Sequence, residues 1–421
     1  MLNADDSYRN AIFMPVGVLF FVITLKKGDG FMAESLAIIM LLGLPANKLF
    51  EKLKMPGLLG MLILGIIIGP YGLNLLQQDM LNASADLRKI ALIIILLRAG
   101  LGINKEDLKR NGSTALKLSC IPGLIEGFFI TFVATKLLDF SFIEGGILGF
   151  IIAAVSPAVV VPSMLKLIEN NVGTKKGIPT LILAGASIDD VFAITIFSVF
   201  LGLYSGSHIN IGIQLLNIPV SILLGIIAGM VIGFMLVKIF KKYHIQDTKK
   251  VLIILGFAIL LTELENLLEM KIQIASLLGV MTIGFVIMEK IPIVGERLAI
   301  KFNKIWVFAE LLLFVLVGAQ VNIHVAFNAG KVGIIIILVG LLGRSIGVML
   351  SLLGTDLNWK ERLFCTISYI PKATVQAAMG AVPLSLGVES GDVILAISVL
   401  SILITAPIGA MGIDYFSEKL L

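Results

Sequence analysis

Charge is the scarcest feature of this sequence. Asp, Glu, Lys and Arg make up 14% of its 421 residues, where a soluble domain carries roughly 25%. A soluble chain of this length would need far more polar surface, so that class is excluded. Cysteine is equally sparse. Cys120 and Cys365 are the only two, both inside apolar runs, which leaves no disulfide framework and no redox chemistry. The three histidines, His208, His244 and His324, fall in loops without metal-ligand spacing. "GTKKG" at 173–177 is too short for a phosphate-binding loop. The net charge of +5 belongs with basic loops on one side of a bilayer rather than with nucleic acid. No cofactor is called for.

What the chain does have is apolar length. Hydrophobic residues make up 58% of it, the mean hydropathy is +1.02, and apolar runs recur at the roughly 20 residues a helix needs to cross a membrane. The pattern predicts an all-α polytopic membrane protein with about fourteen transmembrane helices. Their spans are 11–25, 31–50, 56–72, 86–103, 113–137, 142–168, 177–204, 211–238, 249–268, 272–289, 297–319, 331–354, 360–386 and 390–418. The first has the basic flanks of a signal peptide but no small-residue cleavage pattern, so it reads as a retained short span. Even-numbered loops carry eighteen Lys and Arg, odd-numbered ones seven. The positive-inside rule then puts the even loops and both termini in the cytoplasm, in a cell (inner) membrane.

Under this topology helices two to seven and nine to fourteen run in opposite senses, with helix eight as linker. That is the plan of inverted six-helix repeats. Helix six, "IIAAVSPAVVVPSML" (151–165), holds Pro157 and Pro162. Its counterpart, helix thirteen, "ISYIPKATVQAAMGAV" (367–382), holds Pro371. Proline removes an intrahelical hydrogen bond and clashes with the preceding turn, so both helices are expected to break. A single kink would be unremarkable. Paired breaks in inverted halves point to a substrate site.

Helix seven contains "LAGASIDDVFAIT" (183–195), with Asp189 and Asp190 near its centre. Each such carboxylate costs about 2.5–3.5 kcal/mol on insertion scales, so compensation is required. Consecutive residues point about 100° apart around a helix. One acid can therefore line a cavity while the other is held by a neighbour. Glu126 and Arg344 occupy equivalent helices of the two repeats, where a buried pair would neutralise both, as a structural tie or as part of transport. Lys372 follows Pro371 directly. There it can offset exposed carbonyls or act as a second proton carrier. Glu310 lies deep in a span without an assigned role, while Glu263, Glu265 and Glu269 read as interfacial.

A small hard cation wants oxygen ligands: a carboxylate, hydroxyls and freed carbonyls. Asp190 with Ser156 and the carbonyls near Pro157 supplies them. A carboxylate removed from water can hold a proton or a cation near neutral pH, but not both well. That competition, with alternating access, is sufficient for exchange of Na⁺ or Li⁺ against H⁺.

The segments "AVSPAVVVPSML", "GASIDDVFAI", "LLGRSIGVML" and "PKATVQAA" resemble the monovalent cation/proton antiporter superfamily. They are most similar to the sodium/proton exchangers of the ninth solute-carrier family's B subgroup and their prokaryotic relatives, over about residues 31 to 410. The resemblance implies a transporter rather than an enzyme. It implies a homodimer in a lipid bilayer, with a core domain (about 113–204 and 331–418) sliding elevator-fashion against a dimerisation domain (about 31–103 and 211–319). Residues 1–30 would add an extra helix to the dimer contact. Asp189 and Asp190 would bind the ion, Asp190 being favoured as direct ligand, and Glu126 would pair with Arg344. The acid pair combined with an Arg matches neither the electroneutral nor the electrogenic branch.

Three rival readings share some of these features. A K⁺/H⁺ antiporter or a Na⁺-coupled organic-anion symporter could share the broken helices, the latter needing a roomier polar pocket. An intramembrane aspartyl protease needs two carboxylates converging from different helices, which adjacent residues on one helix do not provide.

Overall fold

The computed structural model describes residues 32–53, 55, 57–103, 105–205, 211–268, 274–322 and 330–421. The expected span 11–25, with Glu269, His208 and His324, lies outside the described residues. In chain order the helices are α1 (Met32–Lys52), α2 (Gly57–Ile68), α3 (Gln78–Asn82), α4 (Ser84–Gly102), α5 (Lys105–Leu137), α6 (Phe142–Ala153), α7 (Pro157–Glu169), α8 (Ile178–Tyr204), α9 (Ile211–Lys242), α10 (Asp247–Leu268) and α11 (Ser276–Lys290). They continue with α12 (Pro292–Ala319), α13 (Gly330–Ser351), α14 (Trp359–Ser368), α15 (Thr374–Met379), α16 (Val382–Ser385) and α17 (Gly391–Leu420). Eight helical stretches among the described residues are long and apolar enough to cross a membrane, with α6 and α7 together forming one of them. Several other expected spans correspond to helices such as α2, α4, α10 and α11, which are shorter or more charged.

The chain divides into two compact units. The described residues of Met1–Leu92 and Trp306–Ile323 make the smaller one. Within it, α2 lies hard against the end of α12: a Cβ on Gly65 would stand 2.1 Å from the Val315 carbonyl oxygen. Only glycine permits that approach.

The larger unit, made of the described residues of Ile93–Ile305 and His324–Leu421, holds the acid pair. Its core gathers around α6, whose sequence "FIEGGILGFIIA" is apolar on every side after Glu144 and is buried at the nine positions that follow it. A helix apolar all round belongs in an interior. Phe150 stacks on Phe200 with ring centroids 5.7 Å apart and meets Phe128 edge-on at 5.4 Å.

Both broken segments start from a capping box, Ser141 with Glu144 for α6 and Asn358 with Glu361 for α14. This satisfies orphan donors at each first turn and fixes where the helix begins. The first break runs from Ala154 to Ser156 in extended conformation, and α7 restarts with Pro157 in its first turn. Proline disfavours helical geometry in the residue before it and suits a helix start itself, so Pro157 marks both the end of the break and the restart. The second break spans Ile370–Ala373 and contains Pro371. Pro162, expected as a break, is not one: α7 runs through it to Glu169. Because Pro157 has already restarted the helix, Pro162 costs only the hydrogen bond to the Ala158 carbonyl near the helix start, and α7 absorbs that loss.

Beyond these spans, Asp247 opens α10, accepting from Arg297 at 2.8 Å and Lys250 at 2.9 Å. The hydrogen bond from Arg297 holds its carboxyl down to about 2 despite partial burial.

Candidate ion-binding site

The two breaks meet. Ser156 donates its backbone N–H to the Pro371 carbonyl at 2.8 Å, joining the end of the first break to the second. Freed backbone groups of this kind are tolerated at membrane depth only where protein or a water-filled cavity surrounds them. Here charged side chains meet them. Asp189 accepts from the Val155 N–H at 2.8 Å. Arg344 donates to the Ala153 carbonyl, Lys372 Nζ lies 3.5 Å from the same oxygen, and Lys372 N–H is held by Thr405 Oγ1 at 2.9 Å.

Four of these side chains form one neutral cluster. Arg344 pairs with Glu126 through Nε and with Asp189 through Nη1 and Nη2 at 3.3 and 3.2 Å. Lys372 Nζ pairs with the same Glu126 oxygen at 2.7 Å. All four are 0–1% exposed. Two acids against two bases leave no net charge, the condition under which buried ions are tolerable. The Tyr369 ring sits 5.6 Å from the Arg344 guanidinium carbon.

Glycine makes this possible on α13. Gly340, Gly343 and Gly347, spaced three and four apart, present backbone to α5. A Cβ on Gly347 would lie 2.5 Å from Pro122 Cα, and one on Gly343 2.9 Å from the Phe129 ring. Small residues at helical spacing let two membrane helices approach closely, and that approach brings Arg344 to Glu126.

The adjacent acids separate as their 100° offset requires. Asp189 is enclosed in the cluster. Asp190 instead lines a cavity of about 300 Å³, together with Pro157, Ser187, Thr195, Ser198, Ser221, Glu265 and Ser276. One Asp190 oxygen, Oδ1, and the Ser156 hydroxyl have no hydrogen-bond partner among the described residues.

Of the residues singled out in the sequence, Asp189, Glu126, Arg344 and Lys372 thus come together, with Ser156, Pro157 and Pro371 at the breaks and Asp190 beside them. Pro162 stands apart within α7. The carbonyls considered as co-ligands are mostly engaged already, because three of them hold Gln376 Nε2 and Ala153 holds Arg344. Sequence reasoning missed Gln376 and Thr405, although a Gln in the apolar run after Pro371 is itself an intramembrane polar residue and so a signal. It also placed Glu265 at the interface. Glu265 lines the Asp190 cavity and accepts a hydrogen bond from Ser276 Oγ.

Long apolar helices and a neutralised charge cluster at the meeting of two helix breaks define an integral membrane transport protein. The family model for the transmembrane sodium/hydrogen exchanger matches residues 36–418, and the chain belongs to that family. Sodium/hydrogen exchanger 9B2 of Homo sapiens is 33% identical over 422 residues, covering 97% of this chain and 76% of the relative. Sodium/hydrogen exchanger 9B1 of Macaca fascicularis is 30% identical, covering 96% and 83%. In fold the chain is similar to the sodium proton antiporter MjNhaP1 from Methanocaldococcus jannaschii at pH 8, with a TM-score of 0.75 at 22% identity over 97% of this chain and 99% of that one.

Proposed function

We propose that this protein exchanges Na⁺ or Li⁺ for H⁺ across a cell membrane, with cation and proton competing for Asp190. The observation that carries the reading is the division of the acid pair. Asp189 is neutralised by Arg344, whereas Asp190 faces a cavity with hydroxyls along its wall. A carboxylate there can exchange its proton for a cation without disturbing the neutral cluster behind it. Ser156 is the natural neutral co-ligand, being buried beside the break with its hydroxyl unpartnered among the described residues. Asp189 then acts on the ion chiefly through its charge.

Exchange requires the site to face each side in turn. The reading includes an elevator motion of a core domain (113–204 and 331–418) against a dimerisation domain (31–103 and 211–319) within a homodimer, with both termini cytoplasmic. Inverted repeats underlie it, and their support is local: each broken segment follows a helix, α5 or α13, that contributes one partner of the Glu126–Arg344 pair. The names of the relatives and of MjNhaP1 favour Na⁺ and H⁺ as the exchanged ions.

The test is reconstitution of the full chain in liposomes containing a pH-sensitive dye. Na⁺ or Li⁺ pulses should move protons, and Asp190→Asn should abolish the response. Wild-type transport by that variant would falsify the site assignment, and a response to K⁺ alone would change the substrate.

A further inference from the structure

Gln376, on α15, is 1% exposed. Its Nε2 lies 2.9 Å from the Ile151 carbonyl oxygen, 2.9 Å from that of Ala154 and 3.3 Å from that of Ile152. Three acceptors around one atom fix the amide, since only its NH₂ end can donate to them. Its Oε1 therefore points elsewhere, and it has no hydrogen-bond partner among the described residues. A buried amide oxygen left unpaired is destabilising and uncommon, so its retention asks for a reason.

The surroundings supply one. Ala154, whose carbonyl Gln376 holds, is two residues from Ser156, and Ser156 Oγ is likewise unpartnered among the described residues. Val375, next to Gln376, packs in one cluster with Ala154 and Ala193. Ala193 stands about one helical turn after Asp190, whose Oδ1 is the third oxygen in the same condition. Three buried oxygens, one of them from a carboxylate, thus belong to residues within a helical turn of one junction between the first break, α8 and α15. Meanwhile the carbonyls from Ile151 to Ala154 all face a donor, three sharing the two N–H groups of Gln376 and the fourth accepting from Arg344.

We propose that Gln376 sets which monovalent cation the protein accepts: its Oε1 joins Asp190 and Ser156 around the ion, while its Nε2 withholds the carbonyls of the first break. A site of one carboxylate and few neutral oxygens suits a small hard cation. A ring of backbone carbonyls is the arrangement that replaces the hydration shell of the larger K⁺. Gln376 selects the first arrangement by occupying the second. This inference rests on the exchange reading above.

The experiment measures Na⁺, Li⁺ and K⁺ concentration dependence of dye-reported proton flux in liposomes for wild type, Gln376→Met and Gln376→Glu. Size exclusion and thermal melting of the detergent-purified proteins report folding. Met is close to isosteric and removes both functions, so the half-saturating Na⁺ concentration should rise about tenfold, the equivalent of one hydrogen-bond-sized ligand contact. K⁺ should lose less, narrowing the preference for Na⁺ over K⁺ by a similar factor. Glu keeps an oxygen but loses the donors, so it should also narrow that preference without the rise in half-saturating Na⁺. Should Gln376→Met fail to fold, Gln376→Glu and Gln376→Asn carry the same ratio. Folded variants with the wild-type cation ratio overturn the proposal, even if they are slower. So does a wild type that Na⁺ and K⁺ drive equally. A wild type with no cation-evoked flux sinks the exchange reading instead.

Discussion

Arg344 answers to two carboxylates at once, and what happens when it is removed follows from charge counting. Glu126 keeps Lys372 at 2.7 Å, but Asp189 loses the only basic side chain within 3.3 Å of it among the described residues. An uncompensated buried charge costs about 3–5 kcal/mol. Arg344→Met is therefore expected to lower thermal stability in detergent by that order, and adding Asp189→Asn should recover a large part of the loss by removing the orphan charge. A double variant less stable than Arg344→Met alone would show that Arg344 is not the counter-charge of Asp189. The comparison also separates the two acids functionally. Asp190 has no part in this compensation, so Asp190→Asn should leave the melting temperature near that of the wild type while stopping transport.

At the scale of elements, the glycine face of α13 and the breaks in α6–α7 and α14–α15 do different work. The breaks expose backbone, and α13 delivers the charge that covers it. Gly347→Val should pry α13 from α5, since even a Cβ there meets Pro122 Cα at 2.5 Å. Overpacking of that kind costs about 1–3 kcal/mol. Thermal melting should fall accordingly, whereas Gly354→Ala, at the exposed end beyond α13 with nothing within 4 Å of its Cβ, should cost less despite its strained φ of +79°. Equal losses at the two positions would remove the close approach as the cause. The breaks were legible in the sequence because proline acts locally: Pro157 and Pro371 need no partner to forbid a helix before them. Pro162 misled for the same reason, because a local rule cannot tell a second proline in a helix already restarted from a second break. Arg344 and Glu126 were legible as embedded charges that must be paired. The role of Gln376 was not: its amide stands out in the apolar run after Pro371, but its partners are uncharged carbonyls more than 220 residues away in sequence.

For the molecule as a whole, the orientation read from basic loops can be tested against the two cavities that Leu278 lines in common. The Asp190 cavity draws on the later part of α8, the first third of α9, the end of α10 and the start of α11. Each of those stretches is remote from the basic ends at Lys175–Lys176, Lys241–Lys242, Lys249–Lys250 and Lys290. A second cavity of about 370 Å³, walled by Met230, Phe234, Met281 and Phe285, has Lys105, Glu289 and Lys290 in its lining instead. If the basic loops face the cytoplasm, the Asp190 cavity opens outward and the apolar one inward. Ser198 is an exposed residue of the first and Lys290 of the second. In a background lacking Cys120 and Cys365, Ser198→Cys in cells should react with a membrane-impermeant maleimide added outside. Lys290→Cys should react only in inside-out vesicles. The reverse pattern would invert the topology and, with it, the side from which Asp190 takes its cation in this conformation. Labelling of Ser198→Cys from both sides would mean that the conformation described here exchanges with its opposite during the assay, as alternating access requires.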